Sequence, residues 1–363
     1  MKKILACLGF VTGLAAGEMT RVFVGTGKEG LFELSLNEET GELGDRKQLV
    51  EGRGMGFQEV SKDGTVIYST LQKEGKGAVA SYRIGKEGVE ELSEQRYAGR
   101  GLCHVSLDHE EKVLFGADYG GGAVVSFPVS DGEVGAVASF MKHQGSSVNE
   151  KRQGAAHAHS MYAGPANRFA YAPDLGIDQV KFYAFGKDGK LIDRGGFKVP
   201  PGSGPRHMKF GREGKFAHVL NELLLTVSVF ARDAESGKLA LLETVSVLPE
   251  GGDGSDLTCS EIRVSADGRF LYTANRDLRG EKRDSVSVLA ISQDGTLEHV
   301  ATSPAEVWIP RNINLSPSGD WLLVAGQRSN EVTSHRIDKK TGKITFSGHR
   351  AEVPAAMCIN FGK

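Results

Sequence analysis

Residues 154–185 read GAAHAHSMYAGPANRFAYAPDLGIDQVKFYAF, and residues 204–222 read GPRHMKFGREGKFAHVLNE. Both stretches share one grammar: basic or histidine-rich residues, a short alternating strand, a turn carrying Gly or Asn, a second strand, and a closing acid. Setting Tyr171 over His218 places Ser160 over His207, His159 over Arg206 and Asn167 over Gly214. A repeated unit of this kind buries its apolar face only by packing against its neighbours.

The same unit recurs on both sides, as GFQEVSKDGTVIYS (56–69), CHVSLDHEEKVLFG (103–116), SEIRVSADGRFLYT (260–273) and RNINLSPSGDWLLV (311–324). Aligning second strands gives seven anchors, Val24, Tyr68, Phe115, Tyr171, His218, Tyr272 and Leu323, at intervals of 44 to 56 residues. A β grammar with a period near fifty predicts a propeller rather than a helical solenoid. A third strand follows each anchor, and turns such as Asp188-Gly189, Ser236-Gly237 and Asp294-Gly295 lead to a fourth. The first anchor lacks an inner strand, because the position that would hold it falls at Gly13, in an apolar N-terminal run. The C-terminal run PAAMCINF (354–361) is predicted to supply that strand and so remove the exposed sheet edges. The expected fold is an all-β, seven-bladed β-propeller over residues 18–363, closed by the C-terminal strand completing the first blade.

Composition agrees with a turn-rich β protein. The 363 residues include 48 Gly and 11 Pro, with a net charge of −2, which gives no bulk attraction to nucleic acid or to an anionic membrane. Residues 1–17 read as a secretory signal peptide. Lys2 and Lys3 precede the uncharged run Ile4–Ala16, and the small residues Ala15, Ala16 and Gly17 precede Glu18. The mature chain is therefore expected in the periplasm or secreted, without membrane association after cleavage. Cys7 would leave with the signal. Cys103, Cys259 and Cys358 have no CxxC spacing and read as small buried residues, with one disulfide possible among them.

In each blade the start of the first strand and the end of the second lie at one end, so these positions crowd one mouth of the central channel. First strands bring His104, His159, Ser160, Arg206, His207, Ser260, Glu261, Arg311 and Asn312. Second-strand ends bring Asp174, Glu222, Arg276 and Gln327. Three arginines, three histidines and three carboxylates at one mouth mark a ligand site. Each also has a structural reading: Glu222 as a solvated turn acid, Arg206 as an ion pair to a neighbouring blade, Arg276 paired with Asp277, Asp174 tying a turn through backbone amides. His157 and His159 form an HxH pair without a third ligand at metal-binding spacing, so neither metal nor cofactor is expected. Gly25–Gly30 matches GxGxxG, but a strand follows it where a phosphate cradle needs a helix N-terminus. Tyr119-Gly-Gly-Gly122 likewise sits between strands.

The segments HAHSMYAGPANRFAYAPDLGIDQV, GPRHMKFGREGKFAHVLNEL, SEIRVSADGRFLYTANR and PRNINLSPSGDWLLVAGQ resemble the seven-bladed propeller lactonases. That family includes propeller-type 6-phosphogluconolactonases and eukaryotic 3-carboxy-cis,cis-muconate lactonizing enzymes. The similarity runs from about residue 20 to the end. It implies a metal-independent site of one His, two Arg and one Glu, which fall on His159, Arg206, Arg276 and Glu222. Two departures stand out: His157-Ala158-His159 replaces the usual HPH, and an export signal precedes a domain whose relatives act on a cytosolic intermediate. The resemblance implies hydrolysis of a sugar lactone or similar acidic lactone, a small-molecule substrate. A muconate-type cycloisomerase is the alternative within the fold. A non-catalytic propeller binding a protein or glycan is the alternative outside enzymes. For hydrolysis, Glu222 is assigned as general base and His159 as the group that orients water or donates to the ring oxygen, two roles that are interchangeable at this stage. Arg206 and Arg276 would hold the anionic group and the developing oxyanion. His157, His104, His207, Glu261, Arg311, Asn312 and Gln327 are expected to line the substrate pocket.

Overall fold

The computed structural model describes residues 18–73, 76–85 and 88–362; the signal-peptide reading of residues 1–17 lies outside them. The strands form seven antiparallel sheets arranged as the blades of a propeller. All seven anchors fall on second strands and are buried. Four residues before each of the last six anchors stands a residue with positive φ: Gly64, Glu111, Asn167, Gly214, Gly268 and Gly319. Five are Gly or Asn, the residues that tolerate this hairpin conformation at least cost.

Burial explains the composition of each strand. Second strands are covered on both faces by neighbouring blades, so VLFGAD (Val113–Asp118) and WLLVAG (Trp321–Gly326) are buried throughout. Outer strands meet solvent, so LIDRGGFK (Leu191–Lys198) is polar and largely exposed. The apolar interior is accordingly divided into seven cores, one between each pair of adjacent blades.

The ring closes as the sequence predicts. Ala356–Phe361 pairs with Met19–Thr26, with Val24 opposite Ile359 and Val22 opposite Phe361, and forms the inner strand of blade 1. Asn312 and Asn314 of blade 7 seal the joint: Ile359 N donates to Asn312 Oδ1 at 3.0 Å and Asn314 Nδ2 to Ile359 O at 2.9 Å. Inner strands of other blades are tied similarly by serine hydroxyls, Ser106 to Met161 O, Ser160 to Arg206 O and Ser260 to Pro310 O.

At the mouth the inner strands leave regular register. Pro205 pairs with Asn221 and His207 with Leu220, so Arg206 is an extra residue. Ser260 and Arg311 are extra in the same way in blades 6 and 7, and Met357 in blade 1. In blade 4 Ala158 bridges Asp174 while Tyr162 pairs with Tyr171, which leaves one surplus residue across His159–Met161. A bulge bends its strand and re-aims the unpaired side chain. Here it lets two successive residues, such as Arg206 and His207, both serve the channel.

Candidate active site

Glu222 closes the second strand of blade 5 and is the centre of the mouth. Its Oε2 accepts from Arg206 Nε at 2.9 Å, and its Oε1 from Arg152 at 2.7 Å and Arg276 at 3.2 Å. Burial alone would push the carboxyl up, but Arg276, Arg206 and Arg152 outweigh it and hold the group at about 2. Arg276 also donates to Cys259 O at 2.9 Å. Burial holds its guanidinium below the usual arginine range, Glu222 opposes that, and Arg206 adds to it.

A cavity of about 320 Å³ opens over this cluster, lined by Arg152, His159, Glu222, Arg276, Arg311 and Tyr119 among others. A second hollow of about 340 Å³ shares Cys103 and Arg311 with it and adds Arg206, His207, Phe57 and Met357. Arg311 stands where the two meet. Among the described residues it has no ion-pair partner. Burial and the charges of Arg206 and Arg276 push it down to about 9 against the pull of Glu222. Four guanidiniums therefore surround one carboxylate. The mouth thus carries a surplus of positive charge, which favours an anionic group there.

His159 lines the first cavity, with Nδ1 3.9 Å from Cys103 Sγ and its ring 5.3 Å from those of Tyr119 and His207. Its Nε2 takes no partner from the described residues. Burial, Arg206, His207 and Arg311 all hold the imidazole well below its ordinary range, so it is neutral at pH 7. Cys103 reaches both cavities. Burial pushes its thiol up to about 11, which removes it as a thiolate nucleophile.

Below the mouth lies a second network. His207 Nδ1 meets Glu261 Oε1 at 2.9 Å, Arg206 meets His207 Nε2 at 3.2 Å, and Asn312 and Arg263 both bond Glu261 at 2.6 Å. Burial lowers His207 to about 4, against the pull of Glu261. Glu261 is itself held well below its normal range, because Arg263 and His207 outweigh its burial.

Of the residues predicted from sequence, His159, Glu222, Arg206, Arg276, Arg311 and His207 converge on the cavities. The others do not line them. His104 is buried among the rings of Phe57, Tyr162 and His207. His157 stacks on Tyr119 at 4.5 Å and bonds its carbonyl. Glu261 and Asn312 form the support described above, and Gln327 meets Ile309 O through its backbone. Asp174 binds the backbone of His157 and Gly176, and also His143, which agrees with its reading as a turn tie. The three described cysteines are free, with Cys259 and Cys358 buried. Among the described residues no three His, Cys, Asp or Glu side chains are placed to hold a metal, and no helix is long and apolar enough to cross a membrane.

Two contributors escape the repeat reading. Arg152 sits on a strap, residues 144–158, laid across the mouth between blades 3 and 4. Gln153 fixes the strap through Leu175 O and Asp178, each at 2.8 Å, and Ser147 bonds Asp178 as well. Gly176 makes room for it, since a Cβ there would lie 1.9 Å from Ala155 O. The signal was present in sequence as the longest interval between anchors, Phe115 to Tyr171. Tyr119, at the head of the Gly-Gly-Gly turn, lines the cavity and receives Arg152 at 3.3 Å.

Residues 14–361 match the family model described as lactonase, 7-bladed beta-propeller. A 6-phosphogluconolactonase of Bacillus subtilis is 33% identical over 93% of this chain and 97% of its own length. A 6-phosphogluconolactonase of Formosa agariphila is 29% identical over 87% of this chain and 90% of its own. Among solved structures, the periplasmic gluconolactonase of Pseudomonas aeruginosa superposes with a TM-score of 0.87 at 27% identity, covering 95% of this chain and 99% of that one.

Proposed function

Because this chain belongs to the seven-bladed β-propeller lactonase family, we propose that it hydrolyses a sugar lactone or similar acidic lactone, with a 6-phosphogluconolactone-like compound as the leading substrate. The observation that carries the reading is one carboxylate, Glu222, paired with Arg152, Arg206 and Arg276, with Arg311 and a neutral histidine beside it, where two adjoining cavities meet. Relatives named 6-phosphogluconolactonase and gluconolactonase support it.

The geometry favours His159 over Glu222 as general base, the reverse of the assignment made from sequence. The environment lowers the basicity of both groups, so access decides: both Glu222 oxygens are engaged by guanidiniums, whereas His159 is neutral with Nε2 open to a water. His159 takes a proton from water as the water oxygen attacks the lactone carbonyl. The carbonyl electrons move onto oxygen, which Arg206 and Arg276 stabilise. The ring C–O bond then breaks, the ring oxygen takes the proton back from the imidazolium, and a hydroxy acid leaves. Glu222 orients Arg206 and Arg276, while Arg311 and Arg152 grip the anionic group of substrate or product.

Export is part of the proposal. It rests on the character of residues 1–17 and on the likeness to a periplasmic gluconolactonase. The test of function is a hydrolysis panel of glucono-1,5-lactone, its 6-phosphate and a muconolactone, run on wild type and His159→Gln. Hydrolysis of a sugar lactone that falls by at least about a hundredfold in His159→Gln supports the reading. Turnover of the muconolactone alone would move the chain to the cycloisomerase class, and no turnover would leave a binding propeller.

A further inference from the structure

A separate hollow of about 590 Å³ lies between blades 6 and 7, lined by Gly280, Lys282, Asp284, Glu306, Trp308 and Glu331 with others. Trp308 is its distinctive member. The chain has two tryptophans. Trp321 is 3% exposed within the core between blades 7 and 1, but Trp308 is 41% exposed. The Arg328 guanidinium lies over the Trp308 ring, 5.1 Å from its centroid. Gly280 also approaches the indole. A Cβ there would stand 3.3 Å from Cζ2, and the φ of +78° favours glycine, so no side chain covers the ring from that position. The lining balances charge: Asp284, Glu306 and Glu331 stand against Lys282 and Arg350, with Arg328 over the indole; Glu331 and Arg350 are paired at 3.0 Å, and the buried Asp284 accepts from the backbone of Asp277 and Ile309.

An exposed aromatic plate inside a polar rim of near-zero net charge suits a neutral polyol. The C–H face of a sugar ring lies on the indole, and its hydroxyls bond carboxylates and guanidinium at the edge. A free anion gains little there, because the three carboxylates offset the cations. A purely aliphatic ligand would leave the rim groups unpaired.

The hollow is also built from the two segments that build the catalytic mouth. Leu278 and Arg276 line the cavity over Glu222, and Gly280 lines the Trp308 hollow. Arg311 lines the first, and Trp308 the second. The linings are therefore two residues apart in one segment and three in the other, so the two hollows adjoin along the chain.

We propose that the Trp308 hollow is a carbohydrate subsite, which holds a glycosyl unit attached to the lactone being hydrolysed at the mouth. The substrate class then extends to lactones of oxidised disaccharides. This inference rests on the lactonase reading for its catalytic consequence, but the binding step stands apart from it.

The experiment compares glucono-1,5-lactone with cellobiono-1,5-lactone and maltobiono-1,5-lactone on wild type and Trp308→Ala. Wild type should favour one of the disaccharide lactones in kcat/KM by roughly five- to tenfold, the worth of one aromatic contact. Trp308→Ala should lose that advantage and keep its activity on glucono-1,5-lactone. In parallel, cellobionate and maltobionate are titrated against tryptophan emission; Trp321 also emits but is buried away from ligand, so a ligand-dependent change that is lost in Trp308→Ala is assigned to Trp308. A change with at least one disaccharide acid, absent with gluconate and absent in Trp308→Ala, is expected. Equal kcat/KM for all three lactones, or a preference that survives Trp308→Ala, overturns the subsite. If no lactone is hydrolysed the catalytic reading fails, and the emission titration still decides: no response to either disaccharide acid overturns the subsite on its own.

Discussion

Replacing Glu222 by Gln keeps the shape of the side chain and removes the only negative charge among Arg152, Arg206, Arg276 and Arg311. The carboxyl is held at about 2 against an ordinary value of 4.5, and at about 1.4 kcal/mol per pH unit this difference is worth roughly 3 kcal/mol. The side chain is 5% exposed, so solvent screening removes little of it. Loss of one partner from a buried ion cluster falls in the same range, about 3–5 kcal/mol. For a chain of this length the unfolding entropy turns roughly 3 kcal/mol into a fall in Tm of about 4 °C. The pH dependence gives a stricter check. A carboxyl depressed in the folded state contributes fully above its unfolded value and loses that contribution as pH falls through the folded one. The gap between wild type and Glu222→Gln, followed by calorimetry, should therefore be constant from pH 7 to 5 and close between about 4.5 and 2. A gap that does not narrow on acidification, or a variant as stable as wild type at pH 7, refutes the account of the cluster. Activity should fall by at least about a hundredfold, because Arg206 and Arg276 lose the group that aims them.

Arg206→Lys keeps the charge but cannot bond Glu222 and His207 from one planar group, so kcat should drop at least tenfold; unchanged kcat would show that charge alone suffices. Arg311→Met should raise KM for a phosphorylated sugar lactone by about ten- to a hundredfold with a smaller change in kcat, and equal loss of both would place Arg311 in the transition state. Deleting residues from Glu352 onward removes the inner strand of blade 1 and with it the buried Ala356, Cys358 and Ile359; burial of Ile359 alone is worth about 1.5–3 kcal/mol, so an unaltered Tm would contradict ring closure. Intact-mass measurement on protein from its native host should find the chain starting at or near Glu18, and retention of Met1 on a cytosolic protein would remove the export proposal.

The fold was legible because every blade repeats the same local physics. A turn residue four positions before six of the seven anchors and a buried second strand at all seven recur with little noise, and the missing inner strand of blade 1 pointed to residues 354–361, where the strand Ala356–Phe361 is found. The site was legible in part. Positions eleven and twelve before the anchors were both expected at the mouth, although strict alternation admits only one of them; the bulge at Arg206 is why both serve in blade 5, while in blade 7 only Arg311 lines the cavities and in blade 6 neither does. Side-chain partnership was not legible, since it depends on which blades face each other across the channel. Glu222 reads as a base until three guanidiniums are seen on it, and Asn312 reads as a ligand group until it is seen bonding the closing strand. Arg152 lay outside the repeat, and no periodic argument reaches an insertion.

The surplus residue in each bulged inner strand separates two duties that a regular strand fuses. Paired positions carry the lattice of backbone bonds, and any change of side chain there disturbs a neighbouring blade. Arg206, Arg311 and Met357 stand outside that lattice and line the opening, so they act as sockets around it, whereas Ser260 ties its strand to blade 7. Exchanging the occupant of one socket alters charge or shape at the substrate while the strand keeps its count. A ring of such sockets allows substrate preference to drift one residue at a time, with the scaffold held constant. For an engineer the same three positions are where a library is best spent.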